Sequence, residues 1–546
     1  MNPVADVATE TIDPVPARGP NRGLLALALA LLPALAAIAF VPEFSTQDGP
    51  AHLFNARILA SSLRADSSYS GTYEVNWRPV PNWAGHAATV LAVELLPAGV
   101  AGRAITAGTL AALAGAIVWL RWRVAGADGL AWASVLAVLL GLNVTWLLGF
   151  TSFLLGATLF PITLASWWRG RDQPGPAGAA RLAGLLILGY FCHPVSLGMT
   201  AFGLAVLTLA TPGPRRGRLI WTLAALVPLV PLGLIYAAIT RSGGGLEPTW
   251  QHLAGRLASP RAWVAQLSWV DPLSLAAKTI RPLGGASSPW YGLLAPAAWT
   301  SVGLILLAGA TWRARRSELR GWGILAALIL AGGVFGPDTL GERHGHYLPQ
   351  RLTLLGLVAL VPWLDFGSKR PAGRLAVLLL GVALAVQSAF VWEYALDCRD
   401  RLREFLRAGP SIGTGQRVGT LLVGTRGRFL ANPLLHADCL FGIDPPNIIW
   451  GNYETDHYYF PVRVRADRPH PAAKDFEVVS FKDGPGEAEE RLRLWESLLR
   501  EHHGEIDVLV TWQADRRLDA ITERWFQPRA GSGRVRTWAH RGLHRE

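Results

Sequence analysis

GLLALALALLPALAAIAFV, residues 23–41, is a run of 19 residues without a charged side chain. A helix of about 20 apolar residues spans the hydrocarbon core of a bilayer, so this run predicts a membrane-spanning helix. Further apolar runs follow at 84–100, 104–120, 130–147, 151–168, 182–192, 195–211, 219–239, 291–311, 321–335, 351–366 and 375–395. The pattern predicts an α-helical polytopic membrane protein with about 11–13 transmembrane helices.

Composition excludes an ordinary soluble globule. Only 16% of the 546 residues are charged, and the mean hydropathy is +0.28. The net charge of +12 comes almost wholly from arginine, because Lys278, Lys369, Lys474 and Lys482 are the only lysines. Basic residues in the short loops of a membrane protein follow the positive-inside rule, so this charge does not indicate nucleic acid as a partner.

The chain divides into three parts by composition. Residues 1–22 are polar and proline-rich, which predicts a disordered N-terminal lead. Residues 23–395 form the predicted transmembrane domain, with a large outer loop at 42–83. From 396 charged residues become frequent and short strand-like runs such as 418–423 alternate with a helical stretch near 486–502, so 396–546 is predicted to be a soluble α/β domain.

Arginine positions predict the orientation of the first span. Arg18 and Arg22 precede it, which predicts that the N-terminus lies in the cytoplasm. The first long loop is then on the extracytoplasmic side of the inner (cytoplasmic) membrane. Strict alternation would put Arg121 and Arg123 outside, whereas Arg313 and its neighbours mark the inside. We therefore expect one of three irregularities among the central spans: one span is re-entrant, two of the apolar runs form a single span, or one span is missing from the runs given above.

The outer loop opens with QDGPAHLFNARIL, residues 47–59. Pro50 suits a first helical turn, and the apolar positions after it recur with a helical period, which predicts a helix lying along the membrane surface. His52 and Asn55 then lie near Asp48. Asp48 either caps the N–H groups of this helix or acts as a general base at the membrane face.

A membrane helix followed by a large outer loop that begins with an acidic residue and a surface helix resembles the GT-C superfamily of polyprenyl-phosphate-sugar-dependent glycosyltransferases. The resemblance implies that Asp48 is the catalytic base or a metal ligand, a role in which His52 could assist. Asn55 and Arg57 of the same segment are predicted to contact substrate. Many members have two adjacent acidic residues here, whereas Gly49 follows Asp48 in this chain. The sequence therefore allows a divalent metal ion as cofactor but does not require one.

The segment RHGHYLPQRL, residues 343–352, precedes a late apolar run. It is similar to the Arg-Tyr-Leu-Leu-Pro type segment of many bacterial GT-C enzymes, in which basic residues hold the lipid phosphate. The resemblance implies substrate contacts from Arg343, His344, His346, Tyr347 and Arg351. Guanidinium groups form paired hydrogen bonds with phosphate, although an arginine at a helix end can also extend to the membrane interface.

The loop closes with WRPVPNW, residues 77–83. Trp83 is either an interfacial anchor or part of a sugar-stacking surface, and Asn82 can add a hydrogen bond there. His86 lies two turns before Glu94 in an apolar run, and ionisable residues within membrane segments are functional candidates. Asn82, Trp83 and His86 are therefore predicted to contact the substrate.

In the tail, residues 451–461 are dense in polar and aromatic groups, and His436 and Asp438 precede them. Such density is typical either of a glycan or peptide site or of tyrosine packing in an α/β core. The three cysteines do not have the spacing of a metal cluster, and the only disulfide considered is between Cys398 and Cys439.

The leading hypothesis is a membrane glycosyltransferase that takes a sugar from a polyprenyl-phosphate donor and passes it to a glycan, lipid or protein acceptor at the outer face. Membrane lipid and the lipid-linked donor are the expected partners. A transporter or flippase of a lipid-linked or polymeric substrate is one alternative, and it predicts internal repeats. An inactive GT-C-like assembly scaffold is the other, and it predicts that no cavity joins Asp48 to Arg351.

Overall fold

The computed structural model describes residues 21–542, apart from 65, 67, 214, 243–245, 251–252, 254–269, 276–302, 304–305, 307–316, 342–344, 366–370, 469, 483 and 485. The predicted disordered lead up to residue 20 and nearly all of the predicted span 291–311 lie outside these residues.

Helices fill most of the described positions up to residue 405. They are α1 (Asn21–Phe40), α2 (Gly49–Leu63), α3 (Trp83–Leu95), α4 (Ala98–Ala125), α5 (Leu130–Gly141), α6 (Val144–Leu148), α7 (Thr151–Gly170), α8 (Pro176–Cys192), α9 (Pro194–Ala210), α10 (Arg215–Leu226), α11 (Leu229–Ser242), α12 (Arg320–Phe335), α13 (Leu348–Leu360) and α14 (Pro371–Phe405).

Among the described residues, three helical stretches are long and apolar enough to cross a bilayer: α1, α4 and the stretch Gly373–Ile412, which includes most of α14. The pair α10 and α11 passes the same test as one span bent by 48°. Five shorter apolar helices, including α5, α8, α9 and α12, accompany them. The chain is thus a multi-pass membrane protein, and its exact number of spans stays a prediction.

The membrane helices pack around a core of leucine and tryptophan. Helix α4 contacts α5 and α7, and α1 contacts α5. Trp132, Trp146 and Trp322 are completely or almost completely buried in this core. By contrast, Leu25 and Leu29 of α1 are more than half exposed, as expected for side chains that face lipid.

The predicted spans 182–192 and 195–211 are separate helices. His193 between them has extended backbone angles, φ −161° and ψ 134°, and its Nδ1 accepts a hydrogen bond from the Val195 N–H at 3.2 Å. The chain therefore breaks before Pro194 instead of running on as one kinked helix, and the histidine satisfies a backbone group that the break exposes.

The outer loop contains α2 and a short strand, β1 (Tyr73–Val75). Helix α2 is present as predicted, but it does not lie on a surface. Its apolar side chains, including Phe54 and Ile58, are buried against the tail in a second hydrophobic core. A helix whose apolar side faces protein needs no membrane surface to cover it.

The tail contains short helices and a five-stranded sheet. The strands are β2 (Arg417–Leu422), β3 (Ile448–Ile449), β5 (Val508–Trp512), β6 (Phe526–Ser532) and β7 (Val535–His540), in the spatial order β3-β2-β5-β7-β6. Strand β2 is parallel to β3 and β5, whereas β7 is antiparallel to β5 and β6. The predicted α/β character of the tail is confirmed, although α14 continues across the predicted boundary at 396 to Phe405.

The outer loop and the tail are joined. Strand β1 pairs with β4 (Val462–Val464) of the tail, with Glu74 opposite Arg463. The Tyr73 hydroxyl also donates a hydrogen bond to the carbonyl oxygen of Ile449 at 3.1 Å. These direct contacts attach the outer loop to the tail.

Candidate active site

A cavity of about 510 Å³ lies where the outer loop, several membrane-helix ends and the tail meet. The loop contributes Gln47, Asp48, His52 and Asn82. The membrane helices contribute Phe150, Ser152, Phe153, His193, Tyr347 and Arg351. The tail contributes His436, Tyr453, His457, Tyr459, Phe460 and Glu477. The cavity thus joins the segments 47–59 and 343–352, which were predicted to hold the site, and adds a third wall from the tail.

Asp48 precedes α2, but its side chain makes no capping hydrogen bond to that helix. Its Oδ2 accepts a hydrogen bond from the Tyr453 hydroxyl at 3.2 Å, and its Oδ1 accepts one from Gln47 Nε2 at 3.3 Å. Burial raises the pKa of Asp48 to about 6. The group is therefore mostly ionised at neutral pH and is more basic than an exposed aspartate, as proton acceptance requires.

A turn at the start of α7 holds this part of the loop in place. The Asp48 N–H donates to the carbonyl oxygen of Leu148 at 2.9 Å, and His52 Nε2 lies 2.9 Å from the carbonyl oxygen of Gly149. Gly149 has φ +87°, and a Cβ atom there would lie 2.5 Å from the Thr46 hydroxyl oxygen. The turn accordingly requires glycine, and it fixes both candidate catalytic residues.

Arg351 enters the cavity from the first turn of α13. Its guanidinium carbon lies 4.5 Å from the ring centroid of Phe150 and 5.1 Å from that of Phe153, and its Nη1 lies 2.7 Å from His193 Nε2. The residue is 7% exposed, and its Nε has no hydrogen-bond partner. Within the described part of the chain, Arg351 forms no ion pair with a carboxylate, so an anionic ligand would complete its environment.

His436 and Glu477 of the tail face Asp48. His436 Nε2 lies 3.7 Å from Asp48 Oδ1, and its Nδ1 lies 3.9 Å from Glu477 Oε1. Burial lowers the pKa of His436 to about 3 and raises the pKa of Glu477 to about 8. At neutral pH Asp48 is therefore the ionised group of the three, while His436 is neutral and Glu477 is mostly protonated.

Behind the cavity wall, Glu454 contacts two histidines. His86 Nε2 lies 2.7 Å from Glu454 Oε2, and His52 Nδ1 contacts Oε1. Asn55 Nδ2 donates to Oε2 as well. Burial alone would lower the pKa of His52, but the negative charge of Glu454 outweighs it and raises that pKa to about 9. These buried side chains connect α2 and α3 to the tail.

Of the other residues that the sequence predicted for the site, some line the cavity and some do not. His346 and Tyr347 line the cavity, whereas Arg343 and His344 lie outside the described residues. Arg57 instead pairs with Asp444 at 3.2 Å on the surface, and Trp83 stacks on Trp77 with ring centroids 5.7 Å apart. Neither Arg57 nor Trp83 lines the cavity. All three cysteines are free, so the considered disulfide between Cys398 and Cys439 is absent.

Sequence reasoning missed several residues that the structure brings to the site. Neither His193 nor Glu477 is among the residues predicted for the site, and Glu454 was predicted only as part of the segment 451–461. Tyr453 and His457 lie in the dense segment 451–461, for which a ligand site and a tyrosine core were both considered. This segment is the part of the sequence from which the contribution of the tail could have been predicted, because it combines aromatic and titratable groups in a few positions.

No protein-family model matches the sequence, and no curated protein matches it. Several solved structures are similar, including the following two. ArnT from Cupriavidus metallidurans, bound to undecaprenyl phosphate, has a TM-score of 0.52 and 15% identity over 94% of this chain and 97% of its own. The arabinofuranosyltransferase AftD from Mycobacteria has a TM-score of 0.51 and 16% identity over 96% of this chain and 40% of its own. This chain thus spans well under half the length of AftD. The GT-C membrane fold predicted from the sequence is confirmed, and this multi-pass membrane protein has that fold.

Proposed function

We propose that this protein is a glycosyltransferase that moves a sugar from a polyprenyl-phosphate donor to an acceptor hydroxyl group. One observation carries the proposal: a buried carboxylate of raised pKa, Asp48, and a buried guanidinium without a carboxylate partner, Arg351, line the same cavity. The fold likeness to ArnT, which was solved with undecaprenyl phosphate, supports a lipid phosphate as the anion.

The proposed reaction is a single displacement. The acceptor oxygen forms a bond to the anomeric carbon while the bond from that carbon to the phosphate oxygen breaks. Asp48 takes the proton of the acceptor hydroxyl, and the lipid phosphate leaves with the bonding electron pair. Arg351 stabilises the charge that develops on the phosphate. Direct displacement inverts the configuration at the anomeric carbon.

The tail supplies the surface for the sugar in this proposal. Tyr459 and Phe460 line the cavity, and their ring centroids lie 5.0 Å apart. Aromatic rings offer apolar faces to the C–H bonds of a sugar, while their polar edges can form hydrogen bonds. Tyr453 would hold the Asp48 carboxylate in position through its hydroxyl group.

The cavity is proposed to open at the extracytoplasmic face of the cytoplasmic membrane. The three native cysteines are buried, so single cysteines can be added at exposed Ser62 in the loop and Ser532 in the tail. A membrane-impermeant maleimide should label both Ser62→Cys and Ser532→Cys in spheroplasts. Labelling only after the membrane is permeabilised would place the site in the cytoplasm.

The enzymatic test uses the full-length protein in nanodiscs with a radiolabelled polyprenyl-phosphate sugar and a candidate acceptor extract. We expect Asp48→Asn to retain donor binding and to lose at least about a hundredfold in transfer rate, because the base is removed while the size is kept. Asp400→Asn is the matched control, since Asp400 is 66% exposed and pairs with Arg399. Undiminished transfer by Asp48→Asn would reject the assignment.

The same assay separates the alternatives. A transporter or flippase would move the labelled lipid across the membrane of a vesicle without any covalent change, and Asp48→Asn would then alter translocation only. An inactive scaffold would give neither transfer nor translocation. The cavity that joins Asp48 to Arg351 favours catalysis over the scaffold.

A further inference from the structure

Three buried side chains from separate parts of the chain converge beside the cavity, and of the three only His52 also lines it. His52 lies in α2, His86 in α3 and Glu454 in a short turn of the tail, Tyr453–Asp456. Their relative exposures are 8%, 1% and 0%, and one nitrogen or oxygen atom from each lies within 4.8 Å of the others. The mechanism proposed above uses neither His86 nor Glu454.

Hydrogen bonds to the backbone decide where the protons of both histidines lie. His52 Nε2 is 2.9 Å from the carbonyl oxygen of Gly149, and His86 Nδ1 is 3.1 Å from that of Asn82. A carbonyl oxygen can only accept, so each of these nitrogens carries a proton. In a neutral imidazole the second nitrogen then has only a lone pair, and in both residues that second nitrogen faces Glu454.

Two lone pairs and a carboxylate repel each other unless a cation separates them. Either both histidines carry a second proton, or one metal ion binds all three groups. Two protons and one divalent ion add the same positive charge to the three side chains, so the overall charge of the cluster does not distinguish them. The geometry favours the ion, because three separate parts of the chain each bring one nitrogen or oxygen atom to within 4.8 Å of the others in a buried position.

The neighbouring groups match those of known metal sites. Metal-bound histidines typically donate their other N–H to a backbone carbonyl, as both histidines do here, and ligating carboxylates are themselves hydrogen-bonded. Asn55 Nδ2 provides that hydrogen bond to Glu454. Two imidazoles and one carboxylate are a donor set that suits Zn²⁺ and leaves a further position for water.

We propose that His52, His86 and Glu454 bind one divalent transition-metal ion, most simply Zn²⁺, which fastens the tail to the outer loop. This site does not include Asp48, the residue at which the family resemblance would place a metal. It also does not depend on glycosyl transfer, because the argument uses only burial and hydrogen bonding.

The test measures metal in the full-length protein, purified in detergent through a tag without histidines. Mass spectrometry of the elements should find about one zinc ion per chain, or one should be taken up from a zinc solution after chelation. Glu454→Gln and His86→Gln should weaken binding by at least about tenfold. Glu501→Gln and His502→Gln are matched controls in exposed or partly exposed positions, 73% and 20%, and should bind as the native chain does.

A second measurement guards against variants that fail to fold. Co²⁺ added to the chelated native protein should produce the visible absorption of a low-symmetry, histidine-containing site, and Zn²⁺ should displace it. Chelation should also lower the melting temperature of the native protein, and zinc should restore it. A well-folded native protein that neither contains nor takes up a metal ion would overturn the proposal and leave two imidazole protons as the bridging charge.

Discussion

Replacing Tyr453 by phenylalanine should shift the pH dependence of transfer towards higher pH. The Tyr453 hydroxyl donates to Asp48 Oδ2 at 3.2 Å, and this hydrogen bond stabilises the ionised carboxylate. Activity requires ionised Asp48, whose pKa burial raises to about 6. In the native protein the rate should therefore fall as the pH drops through about 6, and loss of the hydrogen bond should raise that midpoint further.

The size of the shift follows from the geometry. A long hydrogen bond to a buried charge is worth about 1 kcal/mol, which corresponds to about 0.7 of a pKa unit. At pH 6 about half of Asp48 is ionised in the native protein. In Tyr453→Phe that fraction should fall to about one sixth, so the rate at this pH should fall about threefold while the rate at pH 8 changes little.

The assay is the initial rate of sugar transfer at low donor concentration, measured across the pH range on both proteins. Tyr69→Phe is the matched control, because the Tyr69 hydroxyl is also buried but donates to the carbonyl oxygen of Gly442. Its midpoint should equal that of the native protein. An acid midpoint near pH 4 in the native protein, or equal midpoints for Tyr453→Phe and the native protein, would refute Asp48 as the titrating base.

Three other substitutions follow from the same contacts. Arg351→Gln should lower kcat/KM for the donor by about tenfold to a hundredfold because it removes a charged hydrogen-bond donor, whereas exposed Arg399→Gln should not. Gly149→Ala should lower the melting temperature because its φ is positive and a threonine hydroxyl is 2.5 Å from the new Cβ, while Gly99→Ala, with open space around it, should not. Asn55→Ala should destabilise the fold by about 1–3 kcal/mol in thermal unfolding because it deprives a buried carboxylate of a hydrogen bond.

The membrane architecture could be predicted from the sequence because apolar runs of bilayer length are a local signal. The start of the outer loop was also predictable, since Asp48, His52 and Asn55 follow one another at helical spacing. The same spacing excludes Arg57, which lies five residues after His52 and therefore on another side of the helix. Its ion pair with Asp444 agrees with that geometry.

The contribution of the tail could not be predicted. Asn55 and Glu454 are 399 residues apart in the chain, and no periodicity relates them. Their contact depends on how β1 pairs with β4 and how α2 packs under the tail, which are consequences of tertiary structure. For the same reason the sequence predicted a surface helix where the structure has a buried one: the tail, not lipid, covers its apolar side chains.

The most direct test of the central claim is a cryo-EM structure of Asp48→Asn in nanodiscs with a bound polyprenyl-phosphate sugar. The account predicts the phosphate within about 3 Å of the Arg351 guanidinium. It also predicts room for an acceptor oxygen between the anomeric carbon and residue 48, about 3–3.5 Å from that carbon. Donor density in another part of the protein, with this cavity empty, would contradict the account.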